Sequence, residues 1–193
     1  MRPVACMITD RQRLADPTPA GLVMNVRAAA ASGIQLIQLR ERDLDGRALF
    51  DLAGQVLGAV HGTGARVLIN DRLDVALAAG AHGVHLRAAS FRASRVRTIV
   101  PAGFLIGQSV HSAEEAAALG DGADYLLFGN VFDTGSKPGK PGTGVAALAE
   151  VSGATALPVL GVGGVTLERV PQLIAAGAAG FAGISLFGDR SLR

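Results

Sequence analysis

The chain has 193 residues, of which 49% are hydrophobic, 18% are charged and 26 are glycine. Lysine and arginine outnumber aspartate and glutamate by only 18 to 16, and with no tryptophan and one tyrosine neither charge nor ring content suits a nucleic-acid surface. The lone Cys6 excludes a disulfide framework and a cysteine-based zinc site, and the apolar run Val4–Ile8 is too short for a signal core or a membrane span, so a single cytoplasmic domain over residues 1–193 is expected.

Taken in chain order, short runs rich in Val, Ile and Leu recur at strand length: Val4–Thr9, Ile34–Leu39, Val67–Asn70, Gly83–Leu86, Leu105–Val110, Tyr125–Val131, Pro158–Val162 and Phe181–Leu186. Segments with helical spacing lie between them, among them Leu44–Val60, Ala113–Leu119 and Leu167–Ala176. Gly33, Gly64, Gly80, Gly103, Gly122, Gly153 and Gly177 punctuate the passage from each helical segment to the next strand, where a left-handed helix end favours glycine. A βα unit repeated eight times implies parallel strands joined by right-handed crossovers, and closing them makes an α/β (β/α)8 TIM barrel near the lower size limit of that fold. The residues after the eighth run leave the last helix short or absent, a gap that a second copy in a homo-oligomer would cover.

A barrel of this kind builds its site at the carboxyl ends of its strands. Polar residues collect there: Gln38, Arg40 and Arg42 after the second strand, Asn70 and Asp71 after the third, His85 in the fourth, Ser109 and His111 after the fifth, and Asn130 after the sixth. Gly163 and Gly164 after the seventh strand and Ile184-Ser185 at the eighth fall where such barrels bind phosphate through backbone N–H groups. The loop after the sixth strand, with Thr134, Ser136 and Lys137, reads as a segment that folds over a phosphorylated ligand.

In order along the chain, Gln-Leu-Arg-Glu, Ile-Asn-Asp-Arg, Gly-Val-His-Leu, Ser-Val-His-Ser, Phe-Gly-x-Val-Phe-x-Thr and Val-Gly-Gly-Val resemble the thiamine-phosphate synthase family and its TenI-like relatives. The resemblance implies a barrel that joins a pyrimidine methyl diphosphate to a thiazole phosphate, with Mg2+ on the diphosphate. Carried over by position, Gln38, Arg40 and Arg42 would hold the diphosphate, Asn70 and Ser109 the pyrimidine side, and Asp71 one Mg2+ position. Lys137 would meet the diphosphate, and Thr134, Ser136, Gly163, Gly164, Ile184 and Ser185 would hold the thiazole phosphate, with Asn130 on the same wall.

Two positions depart from the family pattern. A synthase follows its His-Leu with Gly-Gln-Asp-Asp, whereas this chain has Arg87-Ala88-Ala89-Ser90, so Ser90 replaces the second metal carboxylate and a hard divalent cation loses a ligand. TenI-like thiazole tautomerases carry a histidine in Phe-Gly-His-Val-Phe, where this chain has Asn130, an amide that exchanges no proton near neutral pH. His85 and His111 are the remaining candidates for proton transfer, because imidazole is the side chain that titrates near neutrality. The expectation is a TenI-like enzyme of thiamine biosynthesis acting on a phosphorylated thiazole, with Arg40, Lys137 and His111 as the catalytic candidates. Full synthase activity and non-catalytic binding of thiamine intermediates stand as the alternatives.

Overall fold

The computed structural model describes residues 2–119, 122–135 and 139–188. The strands are β1 (Val4–Ile8), β2 (Leu36–Leu39), β3 (Arg66–Asn70), β4 (Gly83–Leu86), β5 (Leu105–Val110), β6 (Tyr125–Gly129), β7 (Val159–Val162) and β8 (Gly180–Gly183). They alternate with α1 (Pro19–Ala31), α2 (Gly46–Val60), α3 (Leu73–Ala78), α4 (Ala93–Arg97), α5 (Ala113–Leu119), α6 (Gly144–Gly153) and α7 (Val170–Ala175). Every strand pairs in parallel with its sequence neighbours and β8 pairs with β1, which closes the (β/α)8 TIM barrel. Among the described residues, no helix is long and apolar enough to cross a membrane.

Local chemistry explains where the longer helices begin. Thr18 caps α1 by accepting a hydrogen bond from the Gly21 N–H at 3.1 Å, with Pro19 in the first turn, and Asp45 caps α2 by accepting one from the Ala48 N–H at 2.8 Å. The predicted helix Leu167–Ala176 is instead a one-turn 3-10 helix (Leu167–Arg169) followed by α7, because Pro171 has no N–H to give to a continuous helix and fits only near a helix start. β8 stops at Gly183, short of the predicted Leu186, since Ile184 turns helical and opens a 3-10 turn over Ser185–Phe187. That turn takes the place of an eighth helix within the described residues. Five of the seven predicted glycine joints have positive φ; between α2 and β3 the left-handed residue is Gly62 rather than Gly64, and Gly153 is the last residue of α6.

The apolar side chains divide into a shell between strands and helices and a smaller cluster inside the barrel. Parallel registers and the two-residue alternation of strands sort the inward positions into layers. From the bottom these are Leu36, Gly83, Tyr125 and Gly180; then Cys6, Leu68, Gly107 and Leu160; then Gln38, His85, Leu127 and Ala182; and at the top Ile8, Asn70, Ser109 and Val162. The Tyr125 ring rises past Gly107, where an added Cβ would overlap the phenol, while Gly83 and Gly180 lie against Leu105 and Val4 with no room for a side chain.

Tyr125 reaches His85 Nδ1 at 3.0 Å, and His85 Nε2 reaches Ser109 Oγ at 2.9 Å, so a hydrogen-bonded chain climbs the barrel axis. The buried phenol is satisfied by donating to Nδ1, which puts the ring proton on Nε2 and makes Ser109 Oγ its acceptor. The Ser109 hydroxyl hydrogen is then left to face the top of the barrel. Burial lowers the His85 pKa from 6.5 to about 4, with Asp71 opposing the shift weakly. His85 is therefore a neutral core residue with both nitrogens engaged, and the expectation that it carries protons in catalysis is withdrawn. Burial likewise pushes the Cys6 thiol up to about 12, which leaves it inert.

Stability responds to changes at three positions. Gly107→Ala should lower the unfolding free energy by about 2 kcal/mol in urea titrations, because the methyl forces Tyr125 away from His85. Gly54→Ala, on an exposed turn of α2 with nothing within 4 Å of the new Cβ, should raise it by about 0.5 kcal/mol. For His85, the unfolded chain binds a proton near pH 6.5 while the folded chain resists until about pH 4, so stability falls as pH drops through that window, by up to about 3 kcal/mol. His85→Gln should flatten the dependence of Tm on pH between those values; an unchanged slope would show that another group controls it.

Candidate active site

Above the top layer, at the carboxyl ends of the strands, opens a cleft of about 500 Å³. Ile8, Leu127 and Val162 form its apolar floor. Every sequence-predicted substrate residue within the described part of the chain lines it: Gln38, Arg40, Arg42, Asn70, Ser109, Asn130, Thr134, Gly163, Gly164, Ile184 and Ser185, together with His111. Ser136 and Lys137 lie outside the described residues. Among the described residues of the same loop, Lys140 lines the cleft, a residue that sequence reasoning did not name. Asp71 stands outside the cleft proper, on an adjoining cavity of about 440 Å³ that it shares with Arg40, Arg42 and Arg87.

The β2 side is held by contacts whose partners are remote in sequence. Gln38 Nε2 donates to Asn70 Oδ1 at 2.8 Å, while Gln38 Oε1 is buried with no hydrogen-bond partner among the described residues. Glu41 is buried and turned away from the cleft, accepting from Thr9 Oγ1 at 2.6 Å and from Arg11 Nη1 at 2.9 Å. Thr9 Oγ1 in turn accepts from the Arg40 N–H at 2.9 Å. Arg11 also pairs with Asp43. With Glu41 and Asp43 fixed to Arg11, their neighbours Arg40 and Arg42 face the cleft. Neither forms an ion pair among the described residues, and burial, then repulsion from Arg42, lowers the Arg40 pKa. Thr9, Arg11 and Glu41 are positioning residues that sequence reasoning missed; the acid between two arginines was the available signal.

Asp71 adopts a left-handed backbone (φ 61°), its N–H donating to the His85 carbonyl at 2.8 Å. Its Oδ2 accepts from Arg87 Nε at 2.6 Å and lies 2.5 Å from Arg87 Nη2, and its Oδ1 accepts from the Ser90 hydroxyl. Ser90 Oγ also accepts from the Arg87 N–H at 3.2 Å. Both carboxylate oxygens are thus engaged and the charge is met by a guanidinium. Among the described residues, no three His, Cys, Asp or Glu side chains gather as a metal site. The residues at this rim do not fit the Mg2+ that the family resemblance implies at Asp71.

On the opposite wall, Gly163 and Gly164 have φ of 97° and 62°, and a Cβ on either would overlap Asn130 or Asp133. Glycine is required there by the chain's own packing as well as by any approach of an anion. Asn130 is buried, and its Nδ2 donates to the carbonyls of Lys140 and Pro141 at 3.2 and 3.3 Å, so it ties down the β6–α6 connection. Arg169 donates to the Gly164 carbonyl at 2.7 Å and stacks over the Phe132 ring at 4.7 Å, bracing the same turn. His111 reaches the Gly129 carbonyl through Nδ1 at 2.9 Å. A carbonyl only accepts, so Nδ1 carries the proton in the neutral ring and Nε2 is its basic atom.

These features agree with comparisons to known proteins. The family model described as thiamine monophosphate synthase matches residues 5–187. A thiamine-phosphate synthase of Methanoculleus marisnigri is 48% identical over 161 residues, 82% of this chain and 76% of that protein. One from Roseiflexus castenholzii is 39% identical over 186 residues, 95% of this chain and 80% of its own. Among solved structures, a thiamine phosphate pyrophosphorylase from Pyrococcus furiosus superposes with a TM-score of 0.84 at 29% identity, covering 98% of this chain and 89% of that one. An N-acetylmannosamine-6-phosphate 2-epimerase from Clostridium perfringens, at 12% identity and a TM-score of 0.69, shares the fold alone. With a family model spanning nearly its whole length and synthases of thiamine phosphate among its relatives, the chain belongs to the thiamine monophosphate synthase family of enzymes.

Proposed function

We propose that this protein is a cytoplasmic enzyme of thiamine biosynthesis that acts on a phosphorylated thiazole alone, in the TenI manner, rather than coupling it to a pyrimidine diphosphate. The observation that carries this reading is the engagement of Asp71 by Arg87 and Ser90, which takes the retained carboxylate out of metal chemistry. The thiazole phosphate would sit against Gly163, Gly164, Ile184 and Ser185, with Thr134 closing over it. The apolar floor of Ile8, Leu127 and Val162 would take the ring. His111, held through Nδ1 by the Gly129 carbonyl, would move the proton at Nε2, a duty that the Asn130 amide cannot perform.

A second reading, thiamine-phosphate synthase, is favoured by the pyrimidine side of the cleft, where Gln38, Arg40, Asn70 and Ser109 remain assembled and Ser109 offers a hydroxyl hydrogen. The names of the relatives point the same way. One experiment separates the readings. Incubated with thiazole carboxylate phosphate and followed by proton NMR, the protein should isomerise the ring in the presence of EDTA, and His111→Asn should cut the rate by about a hundredfold while leaving thiazole phosphate binding in place. Formation of thiamine phosphate from both substrates that EDTA abolishes would select the synthase. Binding of thiazole phosphate with no turnover in either assay would select a binding protein.

A further inference from the structure

The β2–β4 rim carries a charge arrangement that the proposed thiazole chemistry does not use. Its acidic side chains are all engaged: Glu41 and Asp43 by Arg11, Asp74 by Arg72, and Asp71 by Arg87. Arg40 and Arg42 line the adjoining cavity of about 440 Å³ with Arg72 and Arg87, and form no ion pair among the described residues. Its carboxylates are Glu41 and Asp71, so four guanidiniums against two carboxylates leave an excess of two positive charges around it. Burial keeps Arg40 in surroundings that weaken its charged form, so an entering anion would relieve a repulsion already present.

Arg87 suits this position geometrically. Asp71 engages Nε and Nη2 on one edge, and a guanidinium has five N–H donors, so the other edge stays available to an anion. Ser90 locks the pair by donating to Asp71 while accepting the Arg87 N–H, and the left-handed turn at Asp71 aims its carboxylate across to the β4 end. A divalent cation entering here would have to displace a bidentate guanidinium and would then find a single carboxylate, whereas the guanidinium is already in place and always charged.

We propose that Arg87 is the resident cation of this rim: anchored by Asp71 and Ser90, it joins Arg40 and Arg42 in a metal-independent site for a diphosphate-class anion. Asp71 is a positioning residue for Arg87 in this site. The site stands across one cleft from the glycine wall assigned to the thiazole phosphate, since Arg40, Arg42 and Arg87 line that cleft too, and its readout does not depend on thiazole turnover. Titration calorimetry of the full chain with inorganic pyrophosphate tests it. The dissociation constant should agree within about twofold between EDTA and excess Mg2+, and Arg87→Gln should weaken binding by about tenfold or more. The double variant Arg87→Gly/Ser90→Asp, which frees Asp71 and restores a second carboxylate, should bind pyrophosphate only with Mg2+ present; thermal melts of both variants, changed at an exposed rim, establish that they are folded. Tightening of the parent protein by tenfold in Mg2+, an Arg87→Gln variant that binds as well as the parent, or no binding of pyrophosphate at all would each overturn the proposal.

Discussion

Closure of β8 onto β1 is the constraint from which the rest of the molecule follows. Once eight parallel strands form a ring, each inward side chain belongs to a layer of four from alternate strands, and a layer's height decides whether a residue packs or meets ligand. Tyr125 sits low and fills the space left by Gly107, while Ser109 and Asn70 sit high and line the cleft. His85 lies between them and does neither: it hands the hydrogen-bond requirement of a buried phenol upward to a serine at the cleft. The orientation of a group that can touch substrate is thus set from the bottom of the barrel.

Charge follows the same geometry. Outward positions at the strand ends can pair with elements beyond the barrel, as Glu41 does with Arg11 and Thr9, and this sends Arg40 and Arg42 the other way. Holding unpaired arginines at a half-buried site costs solvation, which structure alone does not return and an anion does. At β3 and β4 the opposite choice is made, Asp71 being matched by Arg87. Arg87 and Ser90 are three residues apart in one loop, and their side chains meet on the same carboxylate.

The barrel was legible in the sequence because its signals are local: runs of strand length, glycines between them, polar residues at the run ends. Boundaries slipped by one or two residues at several elements, among them β2, β6 and α2, and the larger departures came where tertiary or capping chemistry intervened, at Pro171 and at the turn after Gly183. The cleft residues were legible for the same reason, since position at a strand's carboxyl end translates directly into position at the barrel mouth. Partners were not. That His85 would be consumed by Tyr125, 40 residues away, and Glu41 by Arg11, 30 residues away, depends on layer height and outward facing, which no local pattern encodes. Lys140 was not named because position within a loop rich in glycine and proline says little about which side chains turn inward.

The two departures from the family pattern have a common physical sense. An amide at position 130 binds the carbonyls of its own loop, a duty for which a donor without a titrating proton is the better choice. Any proton transfer then has to come from a neighbouring strand, and His111 is the imidazole that stands there, fixed through one nitrogen by the β6 carbonyl next to Asn130. Asparagine and histidine at these two places therefore form one unit, in which Asn130 shapes the wall and His111 is the group that we propose moves the proton. Ser90 is its counterpart across the cleft: it too binds the chain, through the Asp71 carboxylate and the Arg87 N–H, and holds the pair in which we propose that Arg87 meets an anion. On both walls the chain satisfies itself first, and what then faces the cleft is a group of guanidiniums, Arg40, Arg42 and Arg87, on one side and the His111 imidazole on the other.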